Sequence, residues 1–179
     1  MADLAGRRVL MIIASRQFRD EEYVTPRKIL EEAGAAVTVA SSKTAPATGM
    51  LGMTVTPDTT IDRVDPASYD AVIFVGGMGA TEFWDNPVAH RIAQQTVQQG
   101  KVTAAICLAP MTLANAGLLT KKRATMWPSE AEPFKTKGVP YTGQPVEQDG
   151  LFITGSGPEA AEAFGRAIRD ALATGQLQR

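Results

Sequence analysis

The sequence predicts an α/β protein with a doubly wound, mostly parallel central sheet and helices on both faces. Three observations carry that prediction. Short apolar, β-rich runs stand at 8–14, 35–41, 70–77, 101–106 and 150–157, and runs without alternation suit strands buried on both sides. Amphipathic segments at helical spacing lie between several of them. Strands joined through helices need right-handed crossovers, which lay helices over both faces of a parallel sheet.

Taken in order, "RVLMIIA" (8–14) reads as the first strand. Its apolar run is too short for a membrane span or a signal peptide. "EEYVTPRKILEEAG" (21–34) reads as a helix stopped by Gly34. Pro26 is its difficulty, because proline lacks an N–H and crowds the preceding turn. The expectation is a helix proper that starts at Thr25 and Pro26, or a distorted first turn. "AAVTVAS" (35–41) is the second strand, and 49–62, broken by Gly and Pro, reads as a strand or hairpin insert. "DAVIFVGG" (70–77) is a buried strand ending in a glycine pair. "NPVAHRIAQQTVQQG" (86–100) places Ala89, Ile92, Ala93 and Val97 on one helix face and closes at Gly100. "KVTAAI" (101–106) is a strand, followed by a helix over 109–117 with Pro110 near its start. The section 120–147, with Pro128, Pro133, Pro140 and Pro145, reads as loop-rich. "GLFITGSG" (150–157) is a late strand, and the last helix puts Ala163, Phe164, Ala167, Ile168, Ala171 and Leu172 on one face. With no repeat, low-complexity tract or linker, residues 1–179 are expected to form one domain.

Composition narrows the function. Hydrophobic residues make up 44% and charged residues 21%, the mix of an ordinary globular domain. A net charge of -1 without a basic cluster makes nucleic acid and anionic membranes unexpected partners. One cysteine excludes an internal disulfide and fits a reducing cytoplasm, the expected location. One cysteine and one histidine cannot assemble a Cys/His zinc site, and no EF-hand or H-E-x-x-H pattern occurs, so no metal is expected. A dinucleotide fingerprint also fails: after Gly77 and Gly79 the third glycine position is Glu82.

The candidate chemistry centres on Cys107. In open α/β sheets, ligands collect beyond the carboxyl ends of strands, and Cys107 falls at such an end. If Pro110 is the first helical residue, Ala109 is the N-cap and Cys107 stands just before it, within reach of unpaired N–H groups. That setting predicts a thiol below its ordinary pKa of about 8.5. The alternative is a small apolar core residue, since Ala104, Ala105, Ile106 and Leu108 surround it. Gly76 and Gly77 end the earlier strand and can bring backbone N–H groups to the same rim. Asp20, Glu21 and Glu22 follow the first strand, near a helix start that favours carboxylates in any case. A carboxyl beside a thiol does something more specific, because two adjacent anions repel and the pair keeps a shared proton.

Together these stretches resemble the DJ-1/PfpI superfamily. "FRDEEY", followed by Pro26, Leu30, Ala33 and Gly34, is similar to its acidic loop and first helix. "DAVIFVGG" resembles its glycine-pair strand end, "AIC" with Ala109 and Pro110 its cysteine elbow, and the stretch from "PVEQDGLFITGSGPEAA" to Phe164 its last strand and helix. The resemblance implies a flavodoxin-like sandwich that assembles as a homodimer or larger homo-oligomer. It implies that Cys107 is the reactive cysteine, that Glu22 hydrogen-bonds to it, and that Gly76 and Gly77 border the pocket. Two departures stand out. Peptidase relatives have His after the cysteine, where this chain has Leu108; other relatives have His before a proline, where this chain has Trp127. His90, on the 86–100 helix, matches no catalytic position.

The resulting expectation is a cofactor-independent hydrolase or lyase, glyoxalase- or deglycase-like, acting on a small aldehyde or glycated substrate. Cys107 would be the nucleophile and Glu22 the proton carrier. The backbone of Gly76, Gly77 or Leu108 would steady an oxyanion, and Trp127 would line the pocket. The alternatives are a redox-sensing, chaperone-like stress protein and, against the missing histidine, a cysteine peptidase or amidase.

Overall fold

The computed structural model of the chain describes residues 3–174. Its first half contains β1 (Arg8–Ile12), β2 (Arg16–Phe18), α1 (Asp20–Glu32), β3 (Ala36–Ser41), β4 (Ala47–Gly49), β5 (Thr54–Val55), β6 (Thr59–Thr60) and β7 (Ala71–Phe74). Then follow α2 (Pro87–Gln98), β8 (Val102–Ile106), α3 (Pro110–Asn115), α4 (Ala131–Thr136), β9 (Val146–Asp149), β10 (Phe152–Gly155) and α5 (Ala161–Ala173).

The five apolar runs become β1, β3, β7, β8 and β10, the inner strands of a seven-stranded sheet ordered β6-β3-β1-β7-β8-β10-β9. Every residue of β7 and β8 is buried, which is why their sequences show no alternation. All pairings are parallel except that of β10 with β9, a polar edge strand reading "VEQD". α1 packs on α5, which lies on β8 and β10, while α2 covers β7 and β8 and meets α3. Asn86 caps α2 by accepting from the N–H groups of Val88 (2.9 Å) and Ala89 (3.1 Å), with Pro87 in the first turn. Among the described residues, no helix is long and apolar enough to cross a membrane.

Two sequence expectations are corrected, for α1 and α5, and two are made more specific. α1 begins at Asp20 and runs through Pro26, which is buried within it alongside Tyr23 and Leu30. Proline removes one donor, the one that would serve the Glu22 carbonyl, and burial of this face outweighs that loss. The 49–62 insert is divided: β4 and β5 form a hairpin that joins β2 in a separate three-stranded sheet, and β6 extends the edge of the main one. The loop-rich section contains α4 and a parallel bridge between Ala124 and Tyr141. On α5, Ala163 is exposed and Gly165 lies on the buried face instead. A side-chain carbon at position 165 would stand 3.0 Å from the Pro26 backbone and from Ile29, so the two helices approach closely there.

Parallel register brings Ile12, Phe74 and Ala105 side by side at the carboxyl ends of β1, β7 and β8. The segments leaving those ends, 13–20, 75–80 and 107–110, therefore meet on one rim, where α/β sheets bind ligands.

The helix contact generates a stability prediction. Gly165→Val should push α5 off Pro26 and destabilise the fold by about 1–3 kcal/mol in urea unfolding. Ala163→Val, on the exposed side, should change it by no more than about 0.7 kcal/mol. Equal effects would show that the α1–α5 contact does not limit size at position 165.

Candidate active site

Cys107 joins β8 to α3 with φ 64°, a left-handed conformation that few non-glycine residues adopt. Such a residue costs on the order of 1–3 kcal/mol and persists only where its surroundings over-determine it. Here they do. The Cys107 N–H donates to the Gly155 carbonyl at 2.9 Å, and its own carbonyl accepts from the Trp127 N–H at 2.8 Å. One residue on, the Leu108 carbonyl accepts from the Trp84 indole N–H at 2.8 Å. Pro110 and Ala109 take the first-helical and N-cap places that the spacing predicts.

The glycine pair lets other chain segments close on this elbow. A side-chain carbon at position 76 would meet Glu22 Oε1 at 2.3 Å, Cys107 Cβ at 2.5 Å and the Ile106 carbonyl at 2.5 Å. Gly77, at φ 105°, lies against the backbone of Gln17, Phe18 and Arg19, and the Arg19 N–H donates to the Gly76 carbonyl at 2.9 Å. Any side chain at either position would force these segments apart.

The three acids that open α1 have three separate tasks. Asp20 accepts from the N–H groups of Leu51 (3.0 Å) and Met53 (2.9 Å), fastening the β4–β5 hairpin to the helix start. Glu21 holds the Arg19 guanidinium through Nε at 2.8 Å and Nη2 at 3.1 Å. Glu22 is fully buried and faces Cys107. Neither Glu22 oxygen has a partner at ordinary hydrogen-bond geometry; the Cys107 sulfur and the Gly76 backbone are the polar groups beside it.

Burial pushes Glu22 up from the usual carboxylate range to about 8, against the opposing pull of Cys107 and Arg19. It also pushes the Cys107 thiol up to about 12, with the Glu22 charge adding to the effect and the Gly77 and Leu108 N–H groups opposing it. The expectation of a low-pKa thiol is therefore corrected. It counted the helix start but not the removal of water by the apolar neighbours, nor the adjacent carboxylate. The repulsion acts only once Glu22 is ionised, so the two groups titrate as a pair that keeps one proton well above neutrality.

A small cavity of about 110 Å³ opens onto the sulfur, lined by Arg19, Met50, Gly77, Met78, Cys107, Leu108, Trp127 and Pro158. Trp127 lines this cavity, and Gly76 lies beneath, against Glu22. His90 does not line the cavity; its Nε2 meets the Trp84 carbonyl at 2.8 Å, behind the indole that holds Leu108. Arg19, Met50, Met78 and Pro158 escaped the sequence reading. Arg19 alone had a signal, as the cation inside "FRDEEY". Among the described residues there is no group of three or more His, Cys, Asp or Glu side chains placed to hold a metal ion.

Glu22→Gln removes the ionisable group at nearly constant shape. Because burial raises Glu22 to about 8, the folded chain retains a proton that the unfolded chain loses above its ordinary carboxylate pKa. That contribution to stability is complete below about pH 4 and is lost as pH rises to about 8. Wild type should lose up to about 1.4 kcal/mol more per pH unit than Glu22→Gln between about pH 5 and 8, measured by urea unfolding. Parallel curves would mean that Glu22 is already ionised in the folded chain.

The chain is similar to known proteins over most of its length. A model of the DJ-1/PfpI family matches residues 7–171. An uncharacterized protein of Methanocaldococcus jannaschii is 38% identical over 173 residues, covering 95% of this chain and 84% of that protein. A deglycase of Pyrococcus abyssi is 33% identical over 149 residues, covering 83% of this chain and 90% of the relative. Among solved structures, a ThiJ/PfpI domain protein from Brachyspira murdochii superposes with a TM-score of 0.91 at 27% identity, covering 97% of this chain and 99% of that one. DJ-1beta of Drosophila melanogaster gives 0.86 at 28% identity, covering 93% and 90%. The likeness extends from β1 to α5, and the chain belongs to the DJ-1/PfpI family.

Proposed function

We propose that this protein is a cofactor-independent enzyme for small reactive carbonyl compounds, of glyoxalase or deglycase type, with Cys107 as nucleophile and Glu22 as proton carrier. The observation that carries the reading is the burial of a carboxyl and the chain's one thiol against each other beneath Gly76, beside a cavity of about 110 Å³. A volume of three or four liquid waters suits a short α-oxoaldehyde or the adduct it forms on an amine. Relatives named deglycases, at about 30% identity, support the same substrate class.

The reactive form is the singly deprotonated pair, sulfur and carboxyl sharing one proton. Sulfur bonds to the aldehyde carbon, and the carbonyl oxygen takes the Glu22 proton to give a hemithioacetal. Glu22, now a carboxylate, removes the proton from that carbon and returns it to the neighbouring one, while the hydroxyl proton on the first carbon passes to the oxygen on the second, leaving a thioester of a 2-hydroxy acid. Water cleaves the thioester, so the net reaction adds one water to the oxoaldehyde and restores the thiol. The Gly77 and Leu108 N–H groups, already turned toward the sulfur, steady the oxygen anions on the way.

The neighbouring readings have less support. A peroxide sensor is served by an exposed cysteine, whereas Cys107 is 7% exposed. A peptidase needs a base beside the nucleophile, and that place holds Leu108. Met50, Met78 and Trp127 leave apolar surface around the cavity mouth, which a second copy of the chain would cover in the expected homo-oligomer.

Two measurements test the proposal. With methylglyoxal, kcat/KM should rise with pH and level off above about 8 as the pair loses its first proton. Cys107→Ser should abolish turnover, and Glu22→Gln should lower kcat by about 10²–10⁴. Turnover that survives Cys107→Ser would overturn the mechanism. Peptide amides should be cleaved no faster by wild type than by Cys107→Ser, and a cysteine-dependent cleavage rate would restore the peptidase reading.

A further inference from the structure

Among the described residues, Met11, Met111 and Met126 are buried, and Met53 is packed against the core. Met50 and Met78 differ: they are 39% and 56% exposed, and both line the cavity above the buried Cys107. They come from separate parts of the chain, Met50 from the turn between β4 and β5 and Met78 from the segment that follows β7. Met50 is held at the mouth by its backbone. Its N–H donates to the Phe18 carbonyl at 2.8 Å, and Asp20 accepts from the N–H groups of Leu51 and Met53 just beyond it. The Met78 N–H in turn donates to the Met50 sulfur at 3.5 Å. That bond ties the hairpin to the β7 segment beside the cavity. A thioether is a weak acceptor, so the tie is a loose one.

An exposed thioether is open to oxidants, and its oxidation turns a flexible apolar side chain into a polar sulfoxide. We infer that Met50 and Met78 form an oxidation site at the mouth of the Cys107 cavity, with hydrogen peroxide as the co-reactant, and that the sulfoxide at Met50 gates access to the thiol. The sulfur lone pair bonds to one peroxide oxygen and the O–O bond breaks. The other oxygen leaves as water, so sulfur is oxidised by two electrons and the peroxide is reduced. The new oxygen on Met50 is a polar acceptor in place of a weak one, and the Met78 N–H is already directed at that sulfur. Oxidation therefore tightens the tie beside the cavity, and a reagent bound for Cys107 must break a stronger bond to enter. The change is reversible, because methionine sulfoxide reductases restore the thioether. It does not depend on the carbonyl chemistry proposed above. Any assembly of copies that leaves Cys107 open to a small reagent leaves these two sulfurs open to peroxide.

Two arms test the site and the gate. In the first, the full chain is treated with graded hydrogen peroxide and its peptides are mapped by mass spectrometry. Met50 and Met78 should gain oxygen at close to their rates in the urea-unfolded chain, while Met11, Met111 and Met126 stay thioethers. Oxidation of the buried methionines as fast as Met50, or Met50 and Met78 left unmodified, overturns the site. In the second, the peroxide-treated protein is returned to a thiol reductant and Cys107 is alkylated with iodoacetamide, the rate being read on the fraction whose thiol survives. That rate should fall about two- to tenfold, the scale of one neutral hydrogen bond, and methionine sulfoxide reductase should restore it. Met78→Leu keeps the backbone donor and should still be slowed by peroxide. Met50→Leu, of nearly the same volume, should be alkylated equally fast before and after treatment. A wild-type rate that peroxide does not lower, or a loss of equal size in Met50→Leu, overturns the gate.

Discussion

The crowding at position 76 is the constraint on which the rest of the site depends. Glu22, the Cys107 side chain and the Ile106 carbonyl all come within 2.5 Å of where a side-chain carbon would stand. Only a residue without that carbon lets the acidic loop, the β7 end and the cysteine elbow close on one another. Their closure expels water, and the loss of water raises both titratable groups and makes them hold a proton in common. The parallel sheet supplies the geometry beneath, since β1, β7 and β8 end side by side and deliver the three segments to one place.

The strained elbow and the acidic loop divide the work between backbone and side chains. Cys107 is held in its left-handed conformation by hydrogen bonds from and to neighbouring backbone and by the Trp84 indole one residue on. Its environment owes more to the acids. Asp20 draws the β4–β5 hairpin, and Met50 with it, over the cavity; Glu21 orients Arg19; Glu22 meets the sulfur. Consecutive residues on a helix point in different directions, so three adjacent acids can serve three partners. Helix-dipole stabilisation, which suits all three equally, does not distinguish them.

Much of this was legible in the sequence where the signal is local. Five continuous apolar runs became the five inner strands, and Pro110 with Cys107 marked the elbow. Gly76 and Gly77 marked the close approach, and the family pattern singled out Glu22 among its neighbours. What escaped depends on tertiary contact. Strands of two or three residues such as β2, β5 and β6 are too short to show a period. Pro26 argued for a late helix start, and burial overrode it. Ala163 and Gly165 exchanged places on α5 because a close helix crossing selects for the absence of a side chain. The thiol's pKa was misjudged because a helix start is visible in sequence, whereas desolvation is a property of everything packed around the sulfur.

Both tryptophans of the chain sit at this elbow. Trp84 donates its indole N–H to Leu108, and its own carbonyl is fixed by His90 and Asn115. Trp127 donates its amide to Cys107, lies against Gly157 and remains 41% exposed over the cavity. The protein's indole fluorescence therefore originates entirely within the rim of the site. Emission from Trp84 follows the integrity of the elbow, and emission from Trp127 follows the wetting of the cavity. Ligand arrival and loss of the strained turn thus carry separate optical signatures, read from the unlabelled chain.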